Sequence, residues 1–177
     1  MSSIFNIDTP ALVVDYDIMQ RNIKKMQEKA REANVNLRPH TKTHRTPALA
    51  LMQIEAGAKG ITVAKIGEAE VMAENGLDDI FIANEIFGKQ KIERLKKLAK
   101  RVKISVGVDN EQQVLALSEA FKNEMGSMQV FIEVEVGEER SGIVPGKKLV
   151  QLARFIESTS KVRLKGIFSH EGHTYNA

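Results

Sequence analysis

The chain has 177 residues, of which 42% are hydrophobic and 28% are charged, and its formal net charge is +3. This length allows one globular domain with a sizeable core. The absence of cysteine excludes a disulfide framework and a thiolate metal site. No stretch is apolar enough to span a membrane. The N-terminus lacks the basic region and following apolar run that mark a signal peptide. We therefore expect a cytoplasmic protein that does not bind membranes.

Strand-like and helix-like segments alternate along the whole chain. The predicted strands cover residues 11–15, 35–38, 61–64, 80–83, 102–106, 130–136 and 164–168. The predicted helices cover residues 18–33, 47–56, 67–74, 89–100, 110–122 and 146–157. Asp17 is expected to cap the first helix, whose apolar side would present Ile23, Met26, Ala30 and Ala33. Pro47 and Gly57 mark the start and the end of the second helix.

Much of the basic excess lies in residues 89–103. On a helix, these lysines and arginines form a solvated face opposite Ile92, Leu95, Leu98 and Ala99. A nucleic-acid interface is the alternative, but aromatic residues make up only 5% of the chain and no stacking platform interleaves with the charge. We expect no nucleic-acid partner.

Strands that recur every 20 to 30 residues between helices predict parallel strands joined by right-handed crossovers. An open doubly wound sheet and a (β/α)8 TIM-type barrel both satisfy this pattern, but the strand-to-helix turns lack the Gly-x-Gly-x-x-Gly fingerprint of a dinucleotide-binding sheet. The sixth strand favours the barrel, because its valines and isoleucine share one face and leave Glu133 and Glu135 pointing inward. We predict one domain over residues 1–177, an incomplete and truncated α/β barrel of about seven strands.

The segment 37–45 is a dense polar cluster after the second predicted strand. Lys42 lies between His40 and His44, with Arg38 and Arg45 at the flanks. Neighbouring cations favour the neutral amine of a lysine, which is the form that attacks carbonyl carbons. The alternative is an ordinary exposed lysine.

The four histidines form two pairs, each of which follows a predicted strand. His40 and His44 come after the second strand, and His170 and His173 come after the seventh. Arg140 follows the sixth strand, and in a barrel all of these residues reach the C-terminal face, where active sites lie. Four histidines could hold zinc, although histidines that surround an anionic cofactor are the preferred interpretation. Arg140 could instead pair with Glu138 or Glu139, but the nearby Gly137 and Gly142 suggest backbone close to a ligand.

Three motifs resemble the D-threonine aldolase and D-serine dehydratase family. They are Asp8-Thr9-Pro10-Ala11-Leu12-Val13-Val14-Asp15, Arg38-Pro39-His40-Thr41-Lys42-Thr43-His44, and Gly166-Ile167-Phe168-Ser169-His170-Glu171-Gly172-His173-Thr174-Tyr175. Members of this family are pyridoxal-phosphate enzymes of the alanine racemase type, with a (β/α)8 barrel followed by a β domain. The resemblance covers the whole chain but does not include that C-terminal β domain.

The resemblance implies that Lys42 is the Schiff-base lysine. It also implies that Arg140 approaches the phenolic oxygen of the cofactor, that His170 or Tyr175 lies near the pyridine nitrogen, and that His40 belongs to the cofactor-binding residues. The divalent metal of the family, manganese or zinc, is held by the C-terminal domain, so no metal ligand carries over to this chain.

The implied activity is that of a pyridoxal-phosphate-dependent lyase on β-hydroxy D-amino acids, or of the N-terminal part of one, with a homodimer as the full-length state. An amino-acid racemase and a non-catalytic pyridoxal-phosphate-binding protein are the alternatives. A racemase needs a second acid or base, for which Tyr175 is the candidate. As a truncated barrel, the chain is expected to expose an unpaired strand edge and apolar surface, and it could be inactive alone.

Overall fold

The structure is a computed structural model that describes residues 6–176. Its helices are α1 (Tyr16–Glu32), α2 (Pro47–Glu55), α3 (Ile66–Glu74), α4 (Lys89–Ala99), α5 (Glu111–Phe121) and α6 (Lys147–Ser158). Its strands are β1 (Ile61–Val63), β2 (Asp79–Glu85), β3 (Lys103–Val108), β4 (Met128–Val134) and β5 (Val162–Ser169). A short 3-10 helix, Gly172–Asn176, follows β5.

The strands form one parallel sheet in the order β1-β2-β3-β4-β5, with a helix between each pair of consecutive strands. Right-handed βαβ crossovers place such helices on one side of the sheet. The arrangement confirms an α/β fold that forms part of a barrel wall.

The strand count differs from the sequence prediction, because the described residues form five strands where seven were expected. Residues 11–15 have no strand structure, and Leu12 is fully exposed. Residues 37–41 do run beside β1, since the N–H groups of Lys59 and Thr62 donate to the carbonyl oxygens of Leu37 and Pro39 at 2.9 and 2.8 Å. Proline has no N–H to donate, and only a single bridge, between His40 and Thr62, is formed.

The first helix begins earlier than the sequence suggested. Asp15, not Asp17, is its N-cap, and its Oδ1 accepts a hydrogen bond from the Ile18 N–H at 2.9 Å. Only Ala30 of the expected apolar face is buried, and Met26 is 51% exposed. The apolar face of α1 therefore packs against few other residues within residues 6–176.

The hydrophobic core lies between the sheet and helices α2 to α6. Alternate strand residues such as Ile80, Ile82, Val106, Val130 and Ile132 are fully buried there. Ile92, Leu95 and Leu98 are buried on α4 and Ala99 packs against them, which confirms the inner face predicted for this helix. Its lysines form the outer face.

β5 pairs with β4 alone, so its far edge has no strand partner within the described residues. Next to it, Ile167 is 63% exposed and borders an apolar groove with Leu149, Ala153 and Leu164. Among residues 6–176, no helix combines the length and the apolar character that crossing a membrane requires.

Candidate active site

A cavity of about 490 Å³ opens at the carboxyl ends of the strands. It brings together four of the five predicted site residues, His40, Lys42, Arg140 and His170, from three separate loops. The carboxyl ends of parallel strands are where α/β barrels carry their sites. Tyr175 is not among the lining residues and its side chain is 82% exposed.

The floor of the cavity is aromatic. The ring of Phe81 on β2 meets the rings of Phe131 and Phe168 edge to face, with centroids 5.1 and 5.0 Å apart. Gly107 on β3 makes room for this cluster, because a Cβ atom there would lie 2.9 Å from the Phe168 ring. An apolar, aromatic floor of this kind can pack against a planar aromatic ligand.

The loop that carries Lys42 is anchored to β1 through Thr41. Thr41 is fully buried, and both its N–H and its hydroxyl donate to the carbonyl oxygen of Thr62, at 2.8 and 3.3 Å. The Arg45 N–H then donates to the Thr41 carbonyl at 2.8 Å and closes the turn. This buried anchor holds the exposed Lys42 side chain at the cavity rim.

His40 contacts the same loop. Its Nδ1 accepts a hydrogen bond from the Lys42 N–H at 3.2 Å, which requires an unprotonated Nδ1. Burial lowers the pKa of His40, and the charges of Lys42 and His170 lower it further, while the carboxylate of Glu68 opposes them. His40 is therefore favoured as a neutral imidazole beside the lysine.

The four histidines do not form one metal site. His44 turns away from the cavity, where its Nε2 meets Gln53 at 3.3 Å and its Nδ1 accepts from the Thr46 N–H at 3.0 Å. His173 is exposed and packs near Gly137. Across residues 6–176, no group of three or more histidine or carboxylate side chains is arranged to hold a metal.

Arg140 lies on the loop between β4 and α6, and the carboxylate of Glu135, just after β4, holds this loop. Glu135 accepts hydrogen bonds from the N–H groups of Gly137 and, at 3.2 Å, of Arg140. Bonds from these backbone N–H groups, Gly137 first, lower the pKa of Glu135. Within the described residues, Arg140 forms no ion pair with Glu138 or Glu139.

His170 is held by Glu138, whose Oε2 lies 2.6 Å from its Nδ1. This contact joins the end of β5 to the Arg140 loop and leaves Nε2 as the free ring nitrogen. Gly172 is required nearby, because a Cβ atom at this position would overlap the Glu138 carboxyl group.

Two further residues of the cavity wall, Glu85 and Ser141, were missed by the sequence analysis. Glu133 was expected to point inward and is 7% exposed; the hydroxyl of Ser141 donates to its Oε1 at 2.9 Å. Glu85 on β2 contacts Glu133, and burial, followed by this contact, raises the pKa of Glu85 to about 8. The alternation Asp79-Phe81-Ala83-Glu85 could have revealed Glu85, but the predicted strand ended at Ala83.

The cavity fits the cofactor that the motifs imply. It offers a lysine amine, two imidazoles and a guanidinium that has no ion-pair partner within residues 6–176, above an aromatic floor. These groups match the aldehyde, the phenolic oxygen and the flat ring of pyridoxal phosphate in chemical type.

Comparison with known proteins identifies relatives of this chain. Residues 14–176 match the sequence profile of the alanine racemase N-terminal domain. The D-threonine aldolase of Arthrobacter sp. is 36% identical over 94% of this chain and 44% of its own length. The D-threo-3-hydroxyaspartate dehydratase of Delftia sp. is 34% identical over 98% of this chain and 46% of its own length.

A solved structure shows the same fold. The D-threonine aldolase of Filomicrobium marinum superposes with a TM-score of 0.90 at 38% identity, over 93% of this chain and 44% of that one. The chain therefore spans less than half the length of these relatives.

Proposed function

Because this chain belongs to the alanine racemase N-terminal domain family, we propose that it supplies the cofactor-attachment half of a pyridoxal-phosphate-dependent lyase. The proposed substrates are β-hydroxy D-amino acids. The observation that carries the proposal is the convergence of Lys42, Arg140, His40 and His170 on one cavity above an aromatic floor.

Each residue has a proposed task. The Lys42 amine attaches the cofactor covalently, and the neutral His40 next to it accepts a hydrogen bond from the Lys42 backbone N–H and adds no positive charge beside the amine. The Arg140 guanidinium donates hydrogen bonds to an anionic oxygen, and His170 contacts the ring from the β5 side. Pyridoxal phosphate, when bound, supplies the electron sink that stabilises a carbanion at the substrate α carbon.

Aldol cleavage and dehydration both remain within the proposal, because the relatives are named for both reactions. A divalent metal, manganese or zinc, is proposed for the full-length enzyme, with ligands outside residues 6–176. A homodimer and a cytoplasmic location also remain proposals. The racemase alternative is less well supported, since Tyr175, its candidate second acid, lies outside the cavity.

The decisive experiment maps the cofactor attachment. The 177-residue protein is incubated with pyridoxal phosphate, the conjugate is reduced with borohydride, and the labelled peptide is identified by mass spectrometry. We expect a visible absorption band and a label on Lys42, and Lys42→Ala should lose both. Lys59→Ala, at another exposed lysine, is the matched control and should keep the band. A protein that forms no band, or a label distributed over surface lysines, contradicts the proposal.

Substrates then separate the reaction classes. D-Threonine, D-serine and D-alanine are added with and without manganese or zinc. Aldehyde and glycine from D-threonine indicate an aldolase, and pyruvate and ammonia from D-serine indicate a dehydratase. Loss of optical purity of D-alanine indicates a racemase. A bound cofactor without any turnover in the full-length protein indicates a carrier and contradicts the lyase.

A further inference from the structure

Two carboxyl groups meet behind the Arg140 loop. Glu85 at the end of β2 and Glu133 at the end of β4 lie on either side of β3 and line the same cavity. Their carboxyl groups are in hydrogen-bonding contact. Two ionised carboxylates in direct contact repel each other, so the contact is favourable only when one of the two carboxyl groups carries a proton.

The structure favours Glu85 as the residue that carries the proton. Its Oε1 is buried and has no hydrogen-bond partner among the described residues, so ionisation would leave this oxygen buried without a partner, although the Glu85 backbone N–H acts in favour of the charged form. Glu133, in contrast, accepts the hydroxyl hydrogen bond of Ser141, an interaction that favours a carboxylate acceptor.

Charged side chains from several elements surround Glu85. Asp109, after β3, adds negative charge and acts in the same direction as Glu133. Basic side chains that line the cavities on either side of Glu85 act in the opposite direction; they are Lys42, Arg140, Lys65, Lys91 and Arg94. His40 and His170 line the cavity as well. Burial and the direct contact with Glu133 outweigh these groups, because they are the two largest influences on Glu85.

Glu133 in turn fixes the loop that carries Arg140. Its carboxylate holds the Ser141 hydroxyl at 2.9 Å, and its carbonyl oxygen accepts from the Ile143 N–H at 2.9 Å. Gly142, at φ +90°, lies so close that a Cβ atom would be 3.0 Å from Glu133 Cγ. A displacement of the Glu133 side chain would therefore displace the residue next to Arg140.

We propose that Glu85 is a positioning residue for Arg140: as a neutral acid it donates a hydrogen bond to Glu133 and keeps that carboxylate in place under Ser141. Ionisation of Glu85 would put two negative charges in contact, push Glu133 away from Ser141 and loosen the loop. The inference rests on the proposed function only for its consequence, because a loosened Arg140 weakens cofactor binding only if this cavity binds the cofactor.

The first test needs no cofactor. Hydrogen exchange of residues 137–143 is measured at about pH 7 and about pH 9, on either side of the Glu85 transition, and expressed as protection factors corrected for intrinsic rates. We expect wild-type protection to fall by about tenfold between these conditions. Glu85→Gln keeps a donor but cannot ionise, so its protection should stay high at both. Glu85→Met removes the donor, and its protection should be low at both.

The second test measures the affinity for pyridoxal phosphate over the same pH range. We expect the affinity of Glu85→Gln for pyridoxal phosphate to depend less on pH than that of the wild type. A residue that only stabilises the fold would not produce this difference. Ser141→Ala, which breaks the same chain at its other end, should lower loop protection as Glu85→Met does. Glu111→Gln, at an exposed glutamate on α5, is the control and should match the wild type.

The outcomes distinguish this inference from the proposed function. If loop protection follows the expected pattern but no cofactor attaches, the proposed function is wrong and the positioning role stands. If the cofactor attaches but Glu85→Gln keeps the wild-type pH dependence of protection, the positioning role is wrong. The Glu85→Gln comparison decides this even if Glu85→Met does not fold.

Discussion

The Glu138 carboxylate and the Nδ1 atom of His170 lie 2.6 Å apart, although the two residues come from different strand ends. The contact connects the Arg140 loop to β5. Both side chains are largely buried, since His170 is 32% exposed and Glu138 is 28% exposed. His170 therefore has one ring nitrogen occupied and the other available to a ligand.

Replacing Glu138 with alanine should release His170. A charge-assisted hydrogen bond of this kind contributes roughly 1–2 kcal/mol to the free energy of unfolding, which chemical denaturation can measure. We also expect weaker attachment of pyridoxal phosphate, because the His170 ring loses its orientation. Glu139→Ala changes the neighbouring exposed glutamate and should leave both quantities unchanged. Equal effects of the two substitutions would show that the contact contributes nothing.

Gly107 should not tolerate a side chain. A Cβ atom there would lie 2.9 Å from the Phe168 ring and 3.3 Å from the Asn84 carbonyl oxygen. Because the backbone oxygen cannot move easily, Gly107→Ala should reduce the free energy of unfolding by about 1–3 kcal/mol. Gly126→Ala is the control, since no atom lies within 4 Å of its Cβ position. A wild-type denaturation midpoint for Gly107→Ala would contradict the close packing.

Arg38 and Arg45 flank the same motif but should differ in their contribution to stability. Arg38 pairs with the Asp79 carboxylate at 2.8 Å and donates to two backbone carbonyl oxygens, at the strand ends opposite the cavity. Arg38→Met should lower the free energy of unfolding by about 2–3 kcal/mol. Arg45 is 69% exposed and lies 3.8 Å from Glu68, so Arg45→Met should cost less than about 1 kcal/mol.

Since Arg38 lies away from the cavity, Arg38→Met should still attach pyridoxal phosphate to Lys42 under conditions in which it is folded. Loss of attachment in a folded variant would place Arg38 in the site after all. Denaturation curves and the absorption band of the conjugate measure the two effects separately.

His40 should make stability depend on pH. Burial lowers its pKa in the folded protein below the usual value for histidine, so the unfolded chain binds the proton more readily. The stabilisation is present above about pH 6.5 and is lost as the pH falls toward the folded pKa. Protonation also removes the Nδ1 acceptor of the Lys42 N–H.

His40→Asn keeps an acceptor oxygen but does not titrate in this range. We expect the variant to lose less stability than the wild type when urea denaturation at about pH 7.5 is compared with about pH 5.5. His173→Asn, at an exposed histidine, should behave like the wild type. An unchanged pH dependence in His40→Asn would assign the acid sensitivity to other groups.

The local sequence predicted most of the secondary structure because hydrophobic periodicity is a local property. The buried face of α4 and the inward direction of Glu133 follow from which residues alternate or recur every turn. The predicted strand over residues 35–38 was overpredicted for a different reason. A strand needs a partner with free N–H groups, and residues 35–38 lead directly into Pro39, which has none.

The sequence by itself determined the α/β class and singled out the Lys42 motif, because both depend on neighbouring residues. Only the tertiary structure decided that Glu85 contacts Glu133 and that Glu138 binds His170. It also decided that the side chains of Arg38 and His44 lie outside the cavity. These contacts depend on the register between strands, including the shift between Ile82 and Glu85, and on the paths of loops distant in the chain. Side-chain alternation predicts which face a residue occupies, but the packing of whole strands decides which residue it meets there.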